Sequence, residues 1–283
     1  MISSYTQQKL ASLIMEIAKQ EIHIEAARQT LCEQPLFEPY AAFQRLDRSH
    51  KGTLTDKNIY NYLLENNINT NLKECSNIVT WYHTDYDKTL SYSDFLELVL
   101  PKSNSLLHEI ACQRPNYLVK STEFLKFDIE YALSHVLEKE CKIHTFTNKM
   151  KEELYLRFDF SLANLFKCVD ILGIININID SLTSFLERKG FKPASSYAKA
   201  FIKRVDKDKD GVLSWAEFSN AMSIIEPAIG SKMERPKTPG LSVKSPEKSA
   251  MCMRSASKSF LKAHYLNDTV CSTLKKVFTY SLR

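Results

Sequence analysis

Glycine is scarce in this chain, six among 283 residues, and tryptophan scarcer still at two. So few glycines argue against a turn-rich β architecture and for helices. No apolar run approaches the roughly 18 residues that a membrane span needs. The longest, Ile171 to Ile179, is broken by Asn176 and Asn178. The opening Met1-Ile2-Ser3-Ser4-Tyr5 lacks the basic-then-apolar pattern of a secretory signal, and residue 2 is not the glycine that N-myristoylation requires. The seven cysteines (Cys32, Cys75, Cys112, Cys141, Cys168, Cys252 and Cys271) are scattered without CxxC spacing. That excludes a zinc site or a disulfide scaffold and leaves the expectation of reduced thiols in an intracellular, cytoplasmic protein. Catalytic patterns are missing too. The seven histidines are dispersed, none beside a nucleophile motif, and there is neither a P-loop nor a dinucleotide fingerprint. Cys168 and Cys271 read as inert thiols. No enzyme is expected.

What is present is a hydrophobic content of 44%, enough to bury one or two cores, and one loop whose chemistry is explicit. Asp206, Asp208 and Asp210 put carboxylates at positions 1, 3 and 5 of a twelve-residue segment. Val212 at position 7 offers a main-chain carbonyl, and Ser214 at position 9 a hydroxyl that ligates or holds a water. Glu217 at position 12 can close the shell with both oxygens. Gly211 stands at position 6, where the chain turns sharply. Ca²⁺ takes six to eight such oxygens at roughly 2.3–2.6 Å. Phe201, Ile202 and Val205 before the loop, and Phe218, Ala221, Met222 and Ile225 after it, recur at helical period. This is the pattern of an EF-hand calcium loop between two amphipathic helices, and Asp206, Asp208, Asp210, Val212, Ser214 and Glu217 are the expected metal ligands.

EF-hands come in pairs joined at position 8 of each loop, so a partner is expected about 36 residues away. Counting back from Leu213 gives Ile177, in a loop that starts at Asp170 but holds Leu172, Ile174, Asn176, Asn178 and Ser181 at the other ligand positions. Leu54 and Leu90 repeat the spacing in the first half. The loop from Asp47 keeps Gly52 at position 6 but has Lys51 at 5 and Asn58 at 12. The loop from His83 keeps Asp85, Asp87 and Asp94 but has Lys88 at position 6, where the backbone disfavours a side chain. The first of these is not expected to bind calcium, and the second at most weakly. The expected fold is therefore all-α, with two paired EF-hand lobes: residues 38–101, with degenerate loops, and residues 151–228, with the one intact site.

Residues 1–37 carry one long helix over 5–32, in which Leu10, Ile17, Ile24 and Leu31 repeat every seven and Gln20 and Glu21 interrupt the seam. It reads either as a cap on the first pair or as a docking helix. Residues 102–150 form a helical connector, with a helix over 123–139. Residues 229–283 are rich in Ser, Pro, Lys and Arg, as in Arg235-Pro236-Lys237-Thr238-Pro239 and Lys244-Ser245-Pro246, and are expected to be disordered alone. From 231 onward there are 11 Lys/Arg against 3 Asp/Glu, a net +8 on a body of net −3. Such a tail suits an acidic polymer. Nucleic acid is disfavoured by the acidic body, and a membrane face by the dispersed basic residues. The acidic surface of tubulin remains, beside the alternative of a tail that serves solubility alone.

The four loops resemble the calmodulin-like EF-hand superfamily over roughly residues 38–225. The wider succession is more specific: Glu21-Ile22-His23-Ile24-Glu25-Ala26-Ala27-Arg28, Leu90-Ser91-Tyr92-Ser93-Asp94-Phe95, Gln113-Arg114-Pro115-Asn116-Tyr117, Asp128-Ile129-Glu130-Tyr131, then a basic Ser-Pro tail. It is similar to a family of EF-hand proteins of ciliated protists associated with the ciliary axoneme. That resemblance implies a structural, microtubule-associated component of the cytoskeleton, with tubulin of the doublet microtubule and neighbouring axonemal proteins as partners. The alternative is a soluble calcium sensor that takes a partner helix on its second pair.

Overall fold

The computed structural model describes residues 2–84, 88–120, 122–170, 173 and 175–225. Among them the chain forms eleven α-helices and no strand, so the fold is all-α, and no helix is long and apolar enough to cross a membrane. All described residues belong to one compact unit. The Ser/Pro-rich tail expected at 229–283 lies outside them.

Helix α1 (Ser4–Glu33) starts at Ser3, whose side chain accepts the N–H of Thr6, and stops where Pro35 follows. Leu10, Ile17, Ile24 and Leu31 are all fully or nearly fully buried. The heptad seam is therefore filled from within the same chain. Its partners are α7 (Phe127–Tyr155) and α10 (Ala194–Val205). The connector helix is much longer than the 123–139 read from the pattern, and the boundary expected at 150/151 falls inside it. No proline or glycine occurs between 127 and 155 to end it.

Four helices follow α1: α2 (Pro39–Leu46), α3 (Asp56–Glu65), α4 (Leu72–Tyr82) and α5 (Tyr92–Val99). With the short α6 (Ser105–Cys112) they precede α7. After α7 come α8 (Leu162–Val169), α9 (Ile179–Arg188), α10 and α11 (Trp215–Met222). Each group of four is two helix–loop–helix units joined by one antiparallel bridge. Leu54 and Leu90 exchange N–H···O bonds of 2.9 and 2.8 Å, and Ile177 and Leu213 exchange bonds of 3.0 and 2.8 Å.

There are two cores, and α1 and α7 run through both in opposite directions. The first core gathers Phe43, Leu63, Ile78 and Phe95 with Leu31 of α1 and Leu133 and Leu137 of α7. The second gathers Phe166, Phe185, Phe201 and Phe218 with Leu10, Ile14 and Ile17 of α1 and Leu154 of α7. The alternatives read for α1 were a cap on the first pair or a docking helix. In the structure it is a spine shared by both.

Candidate metal centre

The last loop leaves α10 at Asp206 and enters α11 at Ser214. Asp206 folds the chain onto itself: its Oδ1 accepts the N–H of Lys209 at 2.7 Å and its Oδ2 that of Gly211 at 2.9 Å. Asp208 and Asp210 each accept an N–H two residues on, at 3.2 and 2.9 Å. These turns hold three carboxylates so that one oxygen from each lies within 4.8 Å of the others. No cation of the protein pairs with any of the three among the described residues. Lys209, at loop position 4, turns away and pairs with Glu97 of α5 at 2.7 Å. Three hard, anionic oxygens gathered without a counter-ion suit Ca²⁺.

Glu217 closes the loop. Its Oε2 accepts the N–H and the hydroxyl of Ser214 at 3.0 and 2.9 Å, the capping box that starts α11. Its Oε1 accepts the N–H of Lys207 at 2.8 Å, back at the loop's beginning. Burial pushes the Glu217 carboxyl up, but these N–H donors outweigh it and hold it ionised, below the usual carboxylate range. The structure thus gathers Asp206, Asp208 and Asp210, while Glu217 stands outside that 4.8 Å cluster at the end of the same loop, with Ser214 and Val212 at positions 9 and 7. Those six residues would hold the ion, and the ion would link the end of α10 to the start of α11.

The other three loops share the backbone and differ in chemistry. Positions 4 and 6 have left-handed φ in the first loop (His50 53°, Gly52 76°), the third (Gly173 66°, Ile175 65°) and the fourth (Lys209 63°, Gly211 84°), and Lys88 has 56° at position 6 of the second. The position-1 aspartate accepts the position-6 N–H in the first, third and fourth loops, at 2.6, 2.9 and 2.9 Å. In the first loop, protein hydrogen bonds stand where metal bonds would. Asp47 accepts the Ser49 hydroxyl, and the Asn58 amide both caps α3 and donates to the Leu46 carbonyl. In the second loop, the His83 Nδ1 is 3.0 and 2.9 Å from the carbonyls of Val79 and Thr80, so position 1 ends a helix. Asp94 takes the N–H and hydroxyl of Ser91 and the hydroxyl of Thr84. Asp85 and Asp87, and Leu172 and Ile174 of the third loop, lie outside the described residues.

Ile175 stores strain: a β-branched side chain at φ 65°, 71% exposed and so with little packing to offset it. Ile175→Gly relieves a left-handed penalty of roughly 1–2 kcal/mol per residue, set against the larger unfolded-state entropy of glycine. A net gain of up to about 1 kcal/mol in urea unfolding is expected.

Sequence reasoning missed a buried ionic cluster where the two cores meet. Arg28 and Arg204, both essentially without solvent contact, face Glu21 and Glu140. Arg28 pairs with Glu21 at 2.7 Å and Glu140 at 2.8 Å, and Arg204 with Glu21 at 2.6 Å and Glu140 at 2.8 Å. The Tyr82 hydroxyl accepts from Arg28 and donates to Glu140 at 2.7 Å. The signal was in the chain: Glu21 and Arg28 stand in the apolar seam of α1, and Arg204 inside the stripe of α10. A charge where the period reserves a core position calls for a buried partner.

His144 borders this cluster, 3.5 Å from Arg204 and 3.7 Å from Glu140, with its ring near Trp81. Burial, then the charge of Arg204, pushes its pKa from 6.5 down to about 3, against the pull of Glu140. The folded chain keeps it neutral, while the unfolded chain takes up a proton below about pH 6.5. Stability should therefore fall as pH drops through the window from 6.5 towards 3. Between pH 6.5 and 5 the expected loss is about 2 kcal/mol, and His144→Gln should flatten that limb of the urea-midpoint profile.

A scan against protein-family models finds no match to this chain, and a search of curated proteins finds none either.

Proposed function

We propose that this chain is a calcium-binding protein built of two paired EF-hand lobes, and that it acts as a structural, microtubule-associated component of the ciliary axoneme, without enzymatic activity. The observation that carries the calcium reading is the gathering of Asp206, Asp208 and Asp210 within 4.8 Å, with Glu217 tied back to the loop's first residues. The position-8 bridges and the left-handed backbone repeated in the four loops support the paired-lobe reading.

The choice of a structural role over a sensor rests on where the helices α1 and α7 lie. A sensor lobe offers an apolar groove to a partner helix on loading calcium. Here Leu10, Leu13, Ile14 and Ile17 of α1 are buried in the core formed by α8 to α11, and Ile129, Leu133, Val136 and Leu137 of α7 in that formed by α2 to α5. Both grooves already hold a helix of the same chain. Arg204, two residues before Asp206, is tied into the ionic cluster, which fixes α10 whether or not the loop holds calcium. The affinity for tubulin is assigned to the net +8 of residues 231–283.

Extraction of isolated axonemes tests the reading. Retention in the pellet through high salt and a calcium chelator is expected of a built-in component. Release by chelator but not by salt would make it a calcium-dependent regulator. Absence from axonemes would end the ciliary reading and leave the sensor.

A further inference from the structure

A cavity of about 580 Å³ opens between the α5–α6 region and the α9–α10 side of the molecule, well inside the size range of small-molecule sites. Its apolar lining is Leu96, Leu100, Pro101, Ile179 and Ile202. Its walls carry Lys102, Lys199, Lys203 and Lys209 with His108, against Glu97, Glu109 and Asp206. Lys209 is already paired with Glu97. Lys102, Lys199 and Lys203 make no ion pair among the described residues. Lys102 is the most informative of them. It is half-buried, its ammonium stands 6.0 Å from the centre of the Tyr82 ring, and burial and then the charge of Arg28 lower its pKa against the pull of Glu21 and Glu140. The adjoining Glu25 takes the backbone N–H of Lys102 rather than its ammonium. The Glu97 carboxyl is pushed up by burial but pulled down further by Lys209, Lys102 and His108, so the cationic field reaches across the cavity.

We propose that this cavity binds an amphipathic anion, a carboxylate head on a linear alkyl chain. Charge complementarity selects the occupant. Four lysines against the carboxylates of Glu97, Glu109 and Asp206 leave an apolar lining with a net positive charge, which favours a ligand with one apolar end and one anionic end. The head takes Lys102, Lys199 and Lys203, and the chain lies along Leu96, Leu100 and Ile202. The site does not depend on the calcium reading, although Asp206 and Gly211 of the loop form part of its wall.

The test uses the full chain with calcium chelated, so that its result is independent of the loop. Decanoate below its micelle concentration is titrated by calorimetry, and amide shifts locate it. Saturable one-to-one binding is expected, with shifts at Leu96, Leu100 and Ile202 and none from decylammonium. Lys199 and Lys203 are exposed on α10, so K199E/K203E should keep the parent's circular dichroism while weakening decanoate at least about tenfold, the equivalent of one charge-assisted hydrogen bond. Equal binding of decylammonium, unchanged affinity in the folded double variant, or non-saturable partition would overturn the proposal. So would tight binding of an acidic amphipathic peptide that decanoate cannot displace, which would assign the cavity to a partner's helix.

Discussion

Glu217→Gln should weaken calcium binding at least about 100-fold, a loss of about 2.7 kcal/mol, while leaving the helices intact. The two halves of that expectation come from the two jobs of one carboxylate. As the N3 residue of α11 it accepts from Ser214, and glutamine serves a capping box equally well. As the proposed last ligand of the loop it would give two anionic oxygens to a hard cation, and an amide gives one neutral oxygen. The amide also turns an NH₂ towards either the ion or the Lys207 N–H that Oε1 now accepts. An EF-hand of sensor type binds at about 10⁻⁷–10⁻⁵ M, so the variant should bind at about 10⁻⁵–10⁻³ M or more weakly. The readout is built in. Trp215 lies two residues from Glu217, 41% exposed, with its ring edge-on to Phe166 at 5.4 Å. A calcium titration of its fluorescence in parent and variant, with far-UV circular dichroism as the folding control, decides the matter. A variant that titrates like the parent would move the metal elsewhere.

The loops were legible because their chemistry is local. Twelve consecutive residues carry the three aspartates, the glycine and the cap, and the bridge position follows by counting, so Leu54, Leu90, Ile177 and Leu213 pair where the spacing put them. The helices flanking the loops were legible for the same reason, through the period of Phe201, Ile202 and Val205 or of Leu182, Phe185 and Leu186. What α1 and α7 do was not. A heptad seam states that a helix face is covered but not by what, and α1 draws its cover from α7 and α10, more than 100 residues away. The end of α7 was misplaced because its apolar stripe thins after Leu137, while helix propensity without proline or glycine carries it to Tyr155. Gln20 and Glu21 looked like flaws in the α1 seam. Gln20 pairs locally with Glu16, whereas Glu21 is a member of the ionic cluster.

That cluster carries the largest expected effect on stability. Arg204→Met should destabilise the fold by about 3–5 kcal/mol, the cost of leaving buried charge without its partner. The sum of formal charges explains why. Glu21 and Glu140 balance Arg28 and Arg204, every one of them buried, and the Glu140 carboxyl is held far below the carboxylate range because the two arginines overcome its burial. Without Arg204, Glu21 and Glu140 share Arg28, which Glu25 also faces at 3.5 Å, and the neutral His144 beside them cannot compensate. Ordinary domains are stable by roughly 5–15 kcal/mol, so the variant stands near the edge of folding. Removing a negative charge as well restores balance. In E140Q/R204M, Arg28 and Glu21 remain as one pair at 2.7 Å, and the double variant should be more stable than Arg204→Met alone. A coupling of at least about 1 kcal/mol is expected. Urea unfolding of the four proteins in the cycle measures it. Additive losses, or a cost below about 1 kcal/mol for Arg204→Met, would mean that apolar packing alone joins the cores. Strong coupling would make the cluster the tie between α1, α7 and α10, and hence what holds the helix that enters the 206–217 loop against the spine.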